Sequence, residues 1–276
     1  MTAFASCSLG GRRFAALVEG DTVRPLEGVA ELGRETPADV LADPPLSDER
    51  IALADVTLLP VVPHPGKVVC VGLNYKAHVE EGVYEVPDYP ALFSKFAETL
   101  VGAGQPVLLP PESEAVDFEA ELAFVVGRPV RRVSGDAALA AVGGYTIAND
   151  VSMRDYQYKT HQWLPGKNWA GSTPLGPYLV TPDEVGDPHA LDISLELNGE
   201  RMQESNTSRF IFDIPTLVAT ISEFIPLASG DVVLTGTPSG VGYRRDPKVL
   251  LRDGDRMVVE IERVGRLESP VAAEAA

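Results

Sequence analysis

Cysteine is almost missing from this chain. Its 276 residues include only Cys7 and Cys70, too few for a disulfide framework or a four-thiolate zinc site. Two thiols suit a reducing compartment. Cys70 sits in Val68-Val69-Cys70-Val71 and is expected to pack as a small hydrophobe. Basic residues are also scarce: 23 Lys and Arg face 40 Asp and Glu, for a formal net charge of -17. That argues against a general nucleic-acid binder, which needs clustered cations for phosphate, and against docking on anionic membranes. It does not exclude an anionic substrate, because a metal ion can reverse the sign of a local site. No apolar run reaches the roughly 18 residues of a membrane span. Met1 to Leu9 lack a basic stretch followed by a long apolar core, so no secretory signal and a cytoplasmic location are expected. What remains, 45% hydrophobic and 23% charged residues, is the composition of a globular protein. The length suits about two domains.

The first part of the chain reads as a small module. Arg13 to Val18 suggests a strand, and Glu19-Gly20-Asp21 turns into Thr22-Val23-Arg24, a hairpin pattern. Pro63-His64-Pro65-Gly66 is the best linker candidate. This places a small N-terminal domain at residues 1–62 and a larger domain at 63–276. The larger part is strand-rich, with candidate strands at 67–71, 118–126, 144–148, 191–197, 232–235 and 256–262. A short helix is expected from Asp136 to Val142, started by Ser134 or Asp136 and stopped by Gly143-Gly144. The clearest helix runs from Asp213 to Ile225, with Asp213 as its cap and Pro215 in its first turn. Leu217, Val218, Ile221, Phe224 and Ile225 share one apolar face of it. Helices do not alternate with strands, so a doubly wound sheet or a (β/α)8 barrel is disfavoured.

The most informative stretch is Asp117-Phe118-Glu119-Ala120-Glu121-Leu122-Ala123-Phe124-Val125-Val126. As a strand it puts Phe118, Ala120, Leu122, Phe124 and Val126 on one face, and Glu119, Glu121, Ala123 and Val125 on the other. The second face is acidic at its start and apolar beyond, unlike a solvated face. Two carboxylates about 7 Å apart on a partly buried face repel each other. A hard divalent cation would resolve the conflict, since oxygen-only ligation suits Mg²⁺, Mn²⁺ or Ca²⁺. An edge strand with its Glu side chains in water is the alternative. A third ligand is needed, and Asp150 ends the strand-like run Gly144 to Asn149.

Glu119-Ala120-Glu121, with Asp150 inside Gly-Tyr-Thr-Ile-Ala-Asn-Asp-Val-Ser-Met-Arg-Asp, resembles the fumarylacetoacetate hydrolase superfamily. Further segments agree in order: Val71-Gly72-Leu73-Asn74-Tyr75, His78 with Glu81, Phe93-Ser94-Lys95, Gly166-Lys167, Leu175-Gly176-Pro177, and the Gly/Pro-rich run from Gly230 to Gly242. The likeness covers about residues 66–265. It implies an α+β, mostly β fold, a mixed β-sandwich roll with a small N-terminal domain, assembled as a homodimer. It also implies Mg²⁺ or Mn²⁺ on Glu119, Glu121 and Asp150, and a catalytic dyad of His78 and Glu81 in a segment that orders as a lid. Lys167 corresponds to the family's site lysine, and Arg154, Gln157 and Thr237 to its substrate contacts. Lys167-Asn168-Trp169 and Lys95-Phe96 depart from the usual Lys-Ser-Phe and Lys-Pro.

The activity implied is metal-dependent cleavage of the C–C bond of an acylpyruvate-type 1,3-diketo acid, fumarylpyruvate among them, as in aromatic catabolism. An enolate would be stabilised by the metal and water activated by His78 and Glu81. Lys167 would stabilise the developing oxyanion, and Arg154 would grip a substrate carboxylate. The same parts would serve oxaloacetate decarboxylation, or isomerisation and decarboxylation of a hydroxymuconate-type diacid. A catalytically inactive metal or carboxylate binder is the alternative of another class. Read without the resemblance, His78 with Glu80 and Glu81 is a solvated helix end, Lys167 a surface lysine and Arg154-Asp155 a local ion pair. Trp163 and Trp169 flank Lys167 and are candidates to wall a pocket. The Thr235 to Gly242 turn offers backbone N–H groups to a carboxylate.

Overall fold

A computed structural model describes residues 2–82 and 85–275. Strands dominate. Nine of them are labelled here: β1 (Ala3–Leu9), β2 (Arg12–Glu19), β3 (Thr22–Pro25), β4 (Val68–Gly72), β5 (Ala91–Lys95), β6 (Ala120–Val126), β7 (Val142–Asn149), β8 (Thr173–Val180) and β9 (Val232–Leu234). They lie in one large sheet in the order β3-β2-β1-β8-β7-β6-β9-β4-β5. A five-stranded sheet built around Asp192–Leu197 and Arg256–Ile261 packs beside it. This is the mostly β, mixed-sheet architecture expected.

The hairpin expected near the N-terminus is present, with Glu19 paired to Thr22 across Gly20-Asp21 and Gly20 at φ +66. A strand the sequence did not advertise, β1, precedes it. β1 pairs with β2 on one side and, through Phe4 opposite Leu179, with β8 on the other. The N-terminal strands therefore extend the large sheet, although Ala5, Cys7, Phe14, Ala16, Val23 and Ile51 form an apolar cluster of their own.

The alternation in the acidic stretch holds. Phe118, Ala120, Leu122, Phe124 and Val126 enter one apolar core, and Ala123 and Val125 enter another on the opposite face. β6 lies between β7 and β9, so both its edges are paired, while the two cores cover its faces and leave Glu119 and Glu121 nearly fully buried.

The helices differ more from expectation. The Asp213 helix forms over Ile214–Phe224, with the Asp213 side chain accepting from Thr216 N–H. Leu217, Val218 and Ile221 are buried and Ile225 packs against the same core, but Phe224 stays 57% exposed. The expected Asp136–Val142 helix is a single turn, Asp136–Leu139, with Gly135 at its cap and no side-chain cap. Gly143-Gly144 does not stop it. Both glycines lie within β7, and a Cβ on Gly143 would come within 2.6 Å of the Gly127 backbone. The pair is there for close chain approach, not as a helix terminator.

Candidate functional site

Three carboxylates meet at one end of β6 and β7. Glu119 directly precedes β6, Glu121 is its second residue, and Asp150 follows β7. Asn149 Oδ1 accepts from Glu119 N–H at 2.9 Å, and Asp150 N–H donates to Glu119 O at 2.9 Å. These two bonds carry the pairing past the end of the ladder and set Asp150 beside the two glutamates. Each of the three acids is 4% exposed or less, and one ligand oxygen from each lies within 4.8 Å of the others.

Cations brace this floor unevenly. Lys167 Nζ donates to Glu119 Oε2 at 2.7 Å and to Asp150 Oδ2 at 2.8 Å. Arg154 donates to Glu119 Oε1 at 2.6 Å and to Asp117 at 2.9 Å. Lys95 Nζ donates to Asp150 Oδ1 at 2.7 Å. Glu121 is treated differently: it accepts the Gly236 N–H at 2.7 Å, and among the described residues no cation pairs with it. Burial pushes Glu121 well above the ordinary carboxylate range, and the neighbouring Asp150 and Glu119 charges push it further. Burial acts on Glu119 too, but Arg154, Lys167 and His78 outweigh it and hold that carboxyl below its ordinary range. Four buried carboxylates (Asp117, Glu119, Glu121, Asp150) thus face three buried cations (Lys95, Arg154, Lys167). An oxygen-only donor set with one acid left without a cation fits a hard divalent ion.

The helix α1 (Lys76–Glu81) stands at the rim. His78 Nδ1 lies 3.2 Å from Glu81 Oε2, and the other Glu81 oxygen accepts Gly240 N–H at 2.9 Å. With a carboxylate at Nδ1, that nitrogen carries the proton and Nε2 is left as the basic atom. Both side chains are partly buried, at 15% and 21% exposure, whereas Glu80 is 65% exposed. The reading of His78 and Glu81 as a solvated helix end therefore does not hold. Residues 83 and 84, which follow the dyad, lie outside the described residues.

Lys167 ends a one-turn helix, Leu164–Lys167, packed on another, Arg154–Gln157. Gly166 permits this, since a Cβ there would sit 2.5 Å from Gln157 Cα. Lys167 and Arg154 are both buried, not surface groups. Arg154 pairs with Asp117 and Glu119 rather than with Asp155, which instead accepts from Ser113 Oγ. The guanidinium that the resemblance offers to a substrate carboxylate is thus already directed at protein carboxylates and at Gln157 Oε1. Thr237 Oγ1 accepts from Gln203 Nε2 at 2.8 Å. One cleft is lined by His78, Glu119, Glu121, Asp150, Arg154, Gln157, Lys167 and Thr237, so eight of the nine expected site residues border it. The ninth, Glu81, reaches it through His78. Trp163 lines the cleft and packs on Phe93, while Trp169 turns away onto Tyr156.

The Thr235–Gly242 turn does bind carboxylates through backbone N–H groups, but they are the protein's own. Gly236 serves Glu121, Gly240 serves Glu81, and Gly242 with Tyr243 serves Asp117. Asp117 and Lys95 were missed as site residues. Asp117 opens the acidic stretch and Lys95 ends the Phe-Ser-Lys segment, but no spacing rule ties either to the cleft.

Residues 67–272 match the fumarylacetoacetate (FAA) hydrolase C-terminal family, and residues 4–60 match the Rv2993c-like N-terminal family. The mitochondrial oxaloacetate tautomerase of Rattus norvegicus is 46% identical over 216 residues, 78% of this chain and 69% of the relative. A Homo sapiens mitochondrial oxaloacetate tautomerase is 47% identical over 214 residues, 77% and 68% of the two chains. The crystal structure of a 2-hydroxyhepta-2,4-diene-1,7-dioate isomerase from Mycobacterium marinum is 34% identical, with a TM-score of 0.84 and 100% coverage of both chains. A fumarylacetoacetate hydrolase from the psychrophilic Exiguobacterium antarcticum is 30% identical, with a TM-score of 0.83 over 99% of this chain and 100% of the other. No described helix is long and apolar enough to cross a membrane. The chain is an enzyme and belongs to the fumarylacetoacetate hydrolase family.

Proposed function

We propose that this enzyme moves a proton at the carbon next to the carbonyl of a small 2-oxo diacid, with oxaloacetate keto–enol tautomerisation as the leading reaction. The observation that carries this reading is the His78–Glu81 pair, an oriented base at the rim of a cleft floored by three buried carboxylates. The activities for which the tautomerase and isomerase relatives are named, whose reactions relocate a proton, support it.

Glu119, Glu121 and Asp150 would hold a divalent cation, Mg²⁺ or Mn²⁺. Such an ion polarises a carbonyl oxygen and offsets the charge that develops as a neighbouring C–H proton leaves. His78 Nε2 takes the proton from the carbon, the C–H electron pair becomes the C=C bond, the C=O π pair moves onto oxygen, and the imidazolium so formed gives its proton to that oxygen, completing the enol with no net gain or loss of protons. Glu81 holds the imidazole in the reactive tautomer and stabilises it once charged. The Lys167 ammonium, fixed by Glu119 and Asp150, presents positive charge to the oxygen as it turns anionic. Trp163 and Phe93 narrow the cleft against bulk water.

A second reading, C–C hydrolysis of an acylpyruvate, is favoured by the partial exposure of His78 and Glu81, which lets water reach the imidazole. One assay separates the two. Enol absorbance is followed with oxaloacetate and with acylpyruvates such as fumarylpyruvate, with Mn²⁺ or Mg²⁺ and with EDTA. Fast, metal-dependent relaxation of oxaloacetate enol without acylpyruvate cleavage supports proton transfer. Fast cleavage of the acylpyruvate moves the function to hydrolysis, and turnover of both that survives EDTA sinks the cation site.

A further inference from the structure

We propose that Lys95 is a positioning residue that fixes the orientation of Asp150 for cation binding, an inference that rests on the cation-site reading above. Lys95 is the last residue of β5, held in register opposite Val68 of β4. Its side chain is fully buried, as is that of Asp150. The ammonium bonds Asp150 Oδ1 at 2.7 Å and the Val151 carbonyl at 3.1 Å, so one nitrogen grips both the carboxylate and the backbone of the turn that carries it.

The backbone of Asp150 is fixed independently. Its N–H goes to Glu119 O, and its carbonyl accepts from Ser152 Oγ. What these bonds leave free is rotation about the side-chain torsions. Lys95 removes that freedom by claiming Oδ1, which leaves Oδ2 on the side of Lys167 and Glu119. Without the lysine, Oδ1 would be buried with no partner. The carboxyl would then turn to share Lys167, and that change of orientation spoils it as a ligand. Lys95 stands on the edge strand β5 and does not line the cleft. Its contribution therefore passes through Asp150 and not through contact with substrate.

Charge and orientation predict opposite signs, which makes the proposal testable. Removing a buried cation next to a ligand should, by charge alone, tighten cation binding. Loss of orientation should loosen it. Mn²⁺ is titrated into the full-length wild type and Lys95→Met by isothermal calorimetry, with electron paramagnetic resonance of free Mn²⁺ as a second readout. We expect the Mn²⁺ Kd to rise by about 10–100-fold, with an activity deficit that shrinks as Mn²⁺ is raised. An unchanged or lower Kd in folded Lys95→Met overturns the proposal. If the wild type itself binds no Mn²⁺, the cation-site reading fails first, and this inference fails with it. If Lys95→Met does not fold by circular dichroism, Lys95→Gln is measured against the same two outcomes. Failure of both variants to fold makes Lys95 a structural residue and also overturns the proposal.

Discussion

The floor and the rim of the cleft are built in different ways. The floor acids project from or beside two central strands, lie on a face closed by an apolar core, and are cross-braced by Lys95, Arg154 and Lys167. His78, at the rim, sits on a helix of six residues, anchored through one carboxylate to one backbone N–H of a glycine-rich turn. A cation site needs ligands that hold still, and a sheet interior supplies that. A base that meets substrate from solvent needs access, and a short helix at the edge supplies that at the expense of rigidity. The two regions should therefore respond differently to mutation.

The sharpest break is expected from Glu121→Gln. Mn²⁺ binding should weaken by at least about 100-fold, with activity falling in step, as read by calorimetry and enol decay. Stability should move the other way. Because burial and the adjacent acids raise Glu121, its ionised form opposes folding above its unfolded pKa. At neutral pH the metal-free variant should therefore melt above the metal-free wild type, and saturating Mn²⁺ should reverse that order. A lower metal-free melting temperature for the variant would mean Glu121 is not strained by its neighbours.

His78→Ala attacks the rim alone. Turnover should fall by about 10²–10⁴-fold while Mn²⁺ affinity stays within about twofold of wild type. A large loss of Mn²⁺ binding would erase the distinction between rim and floor.

A smaller effect is expected at Gly240, which has φ +101 and whose added Cβ would meet the Met202 carbonyl at 2.2 Å. Gly240→Ala should cost about 1–3 kcal/mol of stability by thermal melting and should lower kcat through Glu81 with Mn²⁺ affinity unchanged. A normal kcat would show that the turn does not position the dyad.

The smallest effect concerns neither region. Burial pushes the Cys7 thiol up to about 12, and Cys70 is raised well above its ordinary value, first by burial and then by Asp150. Iodoacetamide at pH 8 should therefore leave both thiols unmodified in the native protein and label both after denaturation. Native labelling at the denatured rate would mean that the sheet opens locally.

The alternation from Phe118 to Val126 was legible because a strand repeats every two residues, and the break from acidic to apolar on one face already marked the site. The Asp213 cap was legible for the same local reason. Trp169 and Phe224 show where this stops: their spacing is right for a pocket wall and for a core face, yet one turns away and the other stays in solvent. The resemblance supplied Lys167 and the dyad. It did not supply Lys95 or Asp117, whose partners lie 55 and 37 positions away in the chain.

Sequence alone therefore determined the strand-rich class, the acidic face of β6 and the all-oxygen character of the groups on it, since all three follow from local periodicity and side-chain chemistry. Tertiary structure alone decided which cation answers which carboxylate, which acid is left without one, and that the glycine-rich turn holds the protein's own acids. Those outcomes depend on strand order and on desolvation at contacts distant in the chain, and no local pattern encodes either.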